Sequence, residues 1–124
     1  KIYMSLEFNQ MHIQQEQYQT EIRKSMRGGN GSVVFEHISK DCLPDHMRLM
    51  AKITLHQGCS IGYHVHENET EIFYVLSGCG LANDDGVTLT LSAGETLITS
   101  SGHGHSIENR SAEPLVILAS IILD

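Results

Sequence analysis

Several features are scarce in this chain, and each scarcity excludes a class of protein. The 124 residues include three cysteines and no Cys-x-x-Cys pair, which argues against a disulfide framework and against a closed, Cys-rich zinc site. No apolar run reaches the length of a membrane span, since the longest covers residues 115–123. Lys and Arg number 8 against 15 Asp and Glu, so the net charge of −7 disfavours nucleic acid as a partner.

The start of the chain has no signal-like hydrophobic segment, and we expect a cytoplasmic protein. A length of 124 residues with 40% hydrophobic residues suits one domain with a single core. We expect residues 1–124 to form that domain, with residues 1–30 as an N-terminal extension and residues 48–123 as the core. Residues 4–8 alternate Met, Leu and Phe with polar residues, which predicts a short strand that can join the sheet of a second copy in a dimer.

What the chain does contain is a series of short alternating segments. Residues 48–55 place apolar side chains at every second position, so Arg48 and Lys52 are expected on the opposite, exposed face. We therefore expect few charges in the interior. Further strands are predicted at residues 33–35, 96–99 and 115–123.

Turn residues separate these segments. The run Asn-Asp-Asp-Gly at residues 83–86 predicts a hairpin that joins residues 73–81 to residues 87–91. Many short strands with little helical pattern indicate an all-β sandwich or barrel. Periodicity does not distinguish these two architectures.

The clearest chemistry lies between Gly58 and Gly78. His64 and His66 are two residues apart on a predicted strand, so their side chains project to the same face. If the next strand pairs with this one through the polar bend at residues 67–70, Glu71 reaches the same face. Two imidazoles and a carboxylate at one point predict a divalent metal site.

A second histidine cluster follows in residues 94–109. His105 can supply a third imidazole, which would leave coordination positions open on an ion held by His64, His66, Glu71 and His105. His103 shares the parity of His105 and is a candidate proton donor in the cavity. Its position between two glycines suits a solvent-exposed turn equally well.

The two clusters resemble the two motifs of the cupin family. The first motif is met at Gly58, His64, His66, Glu71 and Gly78. The second is met at Gly94, Gly102, His105 and Asn109, with Ser100 where proline is usual. The resemblance implies a single-domain jelly-roll β-barrel in which Asn109 anchors a turn. It also implies a homodimer, and the apolar stripe predicted at Ile72, Tyr74 and Leu76 suits a subunit interface.

Three imidazoles and one carboxylate suit Fe, Mn, Ni, Co, Cu or Zn. The resemblance implies a metal-dependent enzyme of the dioxygenase, isomerase or decarboxylase type, acting on a small oxygenated or carbonyl-bearing molecule. An alternative is a non-catalytic module that binds or senses a small molecule through the same metal. A third hypothesis is a structural protein whose metal only stabilises the fold, because one fold supports many functions.

Overall fold

A computed structural model describes residues 12–124, and the strand predicted at residues 4–8 lies outside this range. Short 3₁₀ turns occur at Gln15–Gln17 and Met26–Gly28, and residues 12–124 contain no α-helix. The ten strands are β1 (Gln19–Lys24), β2 (Ser32–His37), β3 (Met47–Leu55), β4 (Ser60–Val65), β5 (Glu69–Ser77), β6 (Cys79–Asp84), β7 (Val87–Ser92), β8 (Thr96–Thr99), β9 (Gly104–Glu108) and β10 (Leu115–Leu123).

The strands form two antiparallel sheets. The larger sheet has the order β1-β2-β3-β10-β5-β8, and the smaller sheet has the order β4-β9-β6-β7. The predicted all-β class is confirmed. In residues 12–124 no strand of one sheet pairs with a strand of the other, so the architecture is a two-sheet sandwich.

The core lies between the sheets and follows the period-2 pattern of the central strands. In β10, side chains at residues 115, 117, 119 and 121 are buried, and their neighbours are partly exposed. Phe73 and Val75 of β5 and Ile53 of β3 complete the same inner face. Each large apolar side chain buried in this way contributes about 1.5–3 kcal/mol to folding.

Pairing of β4 with β5 through the polar bend is the condition under which the sequence brings Glu71 to the histidines, and the structure does not contain this pairing. Strand β4 pairs with β9, and β5 pairs with β10 and β8. The bend at residues 66–68 therefore carries the chain from one sheet to the other. The strand predicted over residues 73–81 also divides, at Gly78, whose φ of 85° starts β6 in the smaller sheet. A Cβ at Gly78 would overlap the Pro114 carbonyl oxygen.

The predicted hairpin at residues 83–86 is confirmed. Strands β6 and β7 pair up to Asp84 and Val87, and the two turn residues Asp85 and Gly86 both have positive φ. Two consecutive positive φ values characterise the type I′ turn, whose twist matches that of the flanking strands.

The segment between β1 and β2 lies against the smaller sheet. Strand β1 pairs with β2 of the same chain over Gln19–Lys24, and the 3₁₀ turn that follows packs on β4. The backbones approach so closely that a Cβ on Gly62 would overlap the Arg27 carbonyl oxygen. Part of the predicted N-terminal extension therefore reaches the strand that carries His64.

Candidate metal centre

Both sheets contribute to one group of four side chains. His64 lies on β4, His66 follows that strand, and His105 lies on β9 opposite His64. Glu71 comes from β5 of the larger sheet and reaches the group across the interior. One candidate ligand atom from each side chain lies within 4.8 Å of the others. The structure thus brings together the four residues predicted as metal ligands.

The three imidazole rings are arranged almost as an equilateral triangle. Ring centroids of His64 and His66 are 4.9 Å apart, those of His64 and His105 are 4.8 Å apart, and those of His66 and His105 are 4.9 Å apart. Phe73 stacks on the outer side of the His105 ring with a centroid distance of 4.8 Å. The rings therefore surround a common point.

Each imidazole is anchored through Nδ1. His64 Nδ1–H donates to the Gly62 carbonyl oxygen at 2.8 Å, and His66 Nδ1–H donates to Glu69 Oε2 at 2.7 Å. His105 Nδ1 lies 2.7 Å from Thr99 Oγ1, which accepts in the matching tautomer. Each neutral ring then presents the lone pair of Nε2, the atom that binds metals, to the centre of the group.

The atoms at the centre are spaced as cis ligands of one ion. Glu71 Oε1 lies 2.9 Å from His66 Nε2 and 3.0 Å from His105 Nε2, and the two nitrogen atoms are 3.2 Å apart. Ligands at about 2.1 Å from an ion and at right angles are about 3.0 Å apart. Buried lone pairs that face one another at this distance repel unless a proton or a metal cation lies between them. The residues present therefore fit a divalent metal.

The pKa shifts of His66 and Glu71 also indicate a centre that stabilises positive charge next to the carboxylate. When a proton occupies His66 Nε2 in place of an ion, its hydrogen bond to Glu71 raises the pKa of His66 against the opposing effect of burial, and Glu69 adds to the rise. Burial raises the pKa of the Glu71 carboxyl, but hydrogen bonds to His105 and His66 outweigh it, so the net pKa is lowered. Burial lowers the pKa of His64. The centre thus favours an ionised carboxylate beside a cation.

Two residues that sequence reasoning did not assign support the group. Glu69, at the end of the predicted polar bend, accepts from His66 at 2.7 Å, and it accepts from Arg48 Nε and Nη2, both at 2.8 Å. Glu69 and Glu71 are two residues apart on one strand, so they face the same side of the sheet, and this spacing could have identified Glu69. Thr99 pairs with Glu71 in the larger sheet, and no sequence pattern marks it.

His103 lies elsewhere. Its side chain is 56% exposed, and its Nδ1 lies 2.8 Å from Asp85 Oδ2. It is not among the residues that line the cavity beside His64 and His66. Of the two positions expected for His103, this placement matches the solvent-exposed turn between two glycines. Its geometry gives no support to a role as proton donor in the cavity.

A cavity of about 70 Å³ opens beside the four-residue group. His64, His66 and Glu71 form part of its wall, together with apolar side chains such as Phe35 and Leu49. Three further lining residues are arginines, namely Arg23, Arg27 and Arg48. More charged side chains line the cavity than the sequence predicts, although Arg27 and Arg48 are also exposed to solvent.

Arg48 is exposed, as the alternation in β3 predicts: 48% of its side chain is accessible to solvent, although it also lines the cavity. Ile121 of β10 pairs with Leu49, and Ile122 pairs with Met47, so Arg48 is left out of the pairing. An extra residue of this kind bends a strand locally. Lys52, which lies in the regular part of the strand, faces outward as predicted and pairs with Glu36 at 3.7 Å.

Asn109 anchors a turn, as the sequence predicted. It is fully buried, and its Nδ2 donates to the carbonyl oxygens of Leu55 (2.9 Å) and Glu113 (2.8 Å). Its Oδ1 accepts from the backbone N–H and the hydroxyl of Ser111.

No helix within residues 12–124 has the length and apolar character needed to cross a membrane.

Comparison with known proteins identifies the family. A Thermotoga maritima protein named oxalate-binding protein is 44% identical over 100 residues, which are 80% of this chain and 83% of that protein. A solved structure from T. maritima, described as a predicted oxalate decarboxylase, has a TM-score of 0.86 and 40% identity, covering 92% of this chain and 100% of that chain.

A sugar phosphate isomerase structure from Silicibacter pomeroyi has a TM-score of 0.75 and 16% identity, covering 91% of this chain and 76% of that one, and it shares the fold alone. Residues 51–121, which include all four members of the candidate metal centre, match the family described as Cupin domain. The chain therefore belongs to the cupin family.

Proposed function

We propose that this protein binds a divalent transition metal through His64, His66, Glu71 and His105 and uses it to hold a small dicarboxylate of the oxalate class. The observation that carries the proposal is a cavity in which three of these donors, His64, His66 and Glu71, share the wall with three arginines. A bound divalent cation supplies positive charge and open coordination positions for ligand oxygens. We propose Fe, Mn, Ni, Co, Cu or Zn, in keeping with the donor set.

The arginines favour an anionic ligand. The chain has 8 Lys and Arg in total, and three of them line this one cavity. A guanidinium group offers parallel N–H donors that match the two oxygens of a carboxylate. Within residues 12–124, Arg27 forms no ion pair, while Arg23 pairs with Glu21 and Arg48 pairs with Glu69. Arg27 is therefore the residue most available to an incoming carboxylate.

The size of the cavity limits the ligand. A volume of about 70 Å³ is well below the roughly 300–1,000 Å³ of sites for drug-sized molecules. A ligand of a few non-hydrogen atoms fits this space, and the names of the T. maritima protein and of the T. maritima structure also refer to oxalate. Size, charge and similarity thus favour the same class of molecule.

The composition of the cavity favours binding over turnover. Among the described residues that line it, His64, His66 and Glu71 are the only imidazole and carboxyl groups, and all three are assigned to the metal. A reaction that needs proton transfer requires a further acid or base within hydrogen-bonding reach. Catalysis by a dioxygenase, isomerase or decarboxylase mechanism is the second candidate function. It is kept because the metal ligands face an open cavity that a substrate could enter.

Calorimetric titration of oxalate into metal-loaded protein tests the proposal. We expect saturable binding that disappears when the metal is removed by a chelator. Arg27→Gln should weaken binding about 10–100-fold, because one charge-assisted hydrogen-bonding group contributes about 1.5–3 kcal/mol. The matched control is Arg110→Gln, an exposed arginine paired with Glu108. Equal oxalate affinity with and without metal would contradict the proposal.

The second candidate is tested with the same preparation. Elemental analysis of protein purified without added metal identifies the ion, and assays for formate and CO₂ under air and under argon detect turnover. Binding without product in either atmosphere is the expected result. Product formation would favour the enzyme instead, and dependence on oxygen would indicate a dioxygenase.

We further propose that residues 1–124 form one jelly-roll domain that acts as a cytoplasmic homodimer. The outer face of the larger sheet exposes Tyr74 (40%), Leu76 (47%) and, on the neighbouring strand β8, Ile98 (58%). Apolar side chains grouped in this way favour association with a second copy. Sedimentation should give the mass of a dimer, and Leu76→Lys should shift it toward the monomer.

A further inference from the structure

The three imidazoles of the candidate metal centre differ in what holds them. His64 donates to a backbone carbonyl oxygen, and His105 lies against a hydroxyl oxygen. His66 donates to a carboxylate, that of Glu69, at 2.7 Å. A carboxylate behind an imidazole fixes the tautomer and increases the basicity of the ring as a ligand. Glu69 therefore acts on His66 more strongly than the neutral groups act on the other two rings.

Glu69 is itself held in place. Its side chain is 12% exposed, and both carboxylate oxygens accept from Arg48, Oε1 from Nε and Oε2 from Nη2, each at 2.8 Å. This bidentate arrangement restrains the carboxylate in position and in plane. The Glu69 carboxylate thus lies between the Arg48 guanidinium and the His66 ring and contacts both.

We propose that Glu69, fixed by Arg48, is a positioning residue that keeps His66 as the Nδ1–H tautomer and so directs the Nε2 lone pair to the metal. This inference rests on the proposed metal site. It adds a residue outside the four ligands and a role for the ion pair between Arg48 and Glu69. Without Glu69, Nδ1 would lose its acceptor, and the ring would be free to rotate or to carry its proton on Nε2.

Zn²⁺ affinity measured by competition with a chromogenic chelator tests this proposal on the full chain. Loss of a supporting partner of this type weakens metal binding about 10–100-fold, and we expect that loss for Glu69→Ala. Glu69→Gln should retain part of the affinity, because its amide oxygen still accepts from Nδ1–H. Glu67→Gln removes the same charge two residues earlier, in the bend before β5 where Glu67 is exposed, and should leave the affinity unchanged.

A second readout separates positioning from general stability. In Zn²⁺-loaded protein, the Nδ1-bound proton of His66 should give an NMR signal protected from exchange with water. We expect this signal in the wild type and in Glu67→Gln, weakened in Glu69→Gln and lost in Glu69→Ala. Because the isosteric Glu69→Gln variant preserves the packing, the comparison holds even if Glu69→Ala does not fold.

The outcomes distinguish the two proposals. A wild-type protein that binds no Zn²⁺ would contradict the proposed metal site. If the wild type binds and Glu69→Gln matches Glu67→Gln in both affinity and proton protection, the metal site stands and the role of Glu69 is wrong.

Discussion

The two sheets contribute different chemistry to the same interior. The smaller sheet and the bend after β4 supply three imidazoles, two of them anchored to neutral groups. The larger sheet supplies the charges: Glu71, Glu69 and Arg48 all lie on β5 or β3. Neutral donors determine where an ion can lie, and the carboxylates compensate its charge. Neither sheet alone forms the site, so a bound ion would join the sheets.

Removing one ligand from either sheet should have the largest effect. If four ligands share a metal-binding free energy of about 10–16 kcal/mol, His105→Ala and Glu71→Ala should each weaken affinity on the order of 10²–10³-fold. Chelator competition measures this loss. His103→Ala removes an exposed imidazole only two residues from His105 and should bind metal normally. A comparable loss of metal affinity in His103→Ala would contradict the assignment of His105 rather than His103 as a ligand.

Removal of the metal should loosen the contact between the sheets. At a free metal concentration 100 times the Kd, binding stabilises the folded state by about 2.7 kcal/mol, or about 10 °C in Tm for a chain of this size. Thermal unfolding with metal and with chelator measures the difference. For His105→Ala, the unfolding curves with metal and with chelator should give the same Tm. A Tm difference that persists in this variant would indicate a metal site elsewhere.

Asn109 offers a connection between the sheets that needs no ion. It follows β9 of the smaller sheet and donates to the carbonyl oxygen of Leu55, the last residue of β3 in the larger sheet. Asn109→Ala should lower the free energy of unfolding by about 2 kcal/mol, because buried carbonyl oxygens lose their donor. Urea unfolding of metal-free protein measures this. Metal affinity should remain unchanged, and a large loss of it would mean that this turn positions the ligands.

The smallest effect is expected at the edge of the larger sheet. Hydrogen bonds from Arg23 and then His37 hold the pKa of Glu21 at about 2, below its ordinary value of 4.5. The contribution of Glu21 to stability is therefore present above pH 4.5 and is lost as the pH falls toward 2. Urea unfolding of metal-free wild type and Glu21→Gln should show a smaller decline for the variant across this range. Parallel declines would assign the pH dependence to other carboxyl groups.

Sequence reasoning succeeded where the signal repeats along the chain. Alternation in residues 115–123 predicts β10, and the turn residues 83–86 predict the β6–β7 hairpin. It failed where a strand's partner had to be chosen. Strand β4 could pair with β5 through a short bend, but it pairs with β9, about forty residues later in the chain, because this arrangement covers the apolar face of the larger sheet.

The sequence by itself determined the all-β class, the faces of the regular strands and the identity of the four side chains of the candidate metal centre. Each of these depends on residue type and on spacing along one segment. Only the tertiary structure decided that Glu71 approaches the histidines from the opposite sheet, that Arg48 pairs with Glu69 beside the cavity and that Glu69 supports His66. These features depend on distant strand pairing, which a period of two residues does not specify.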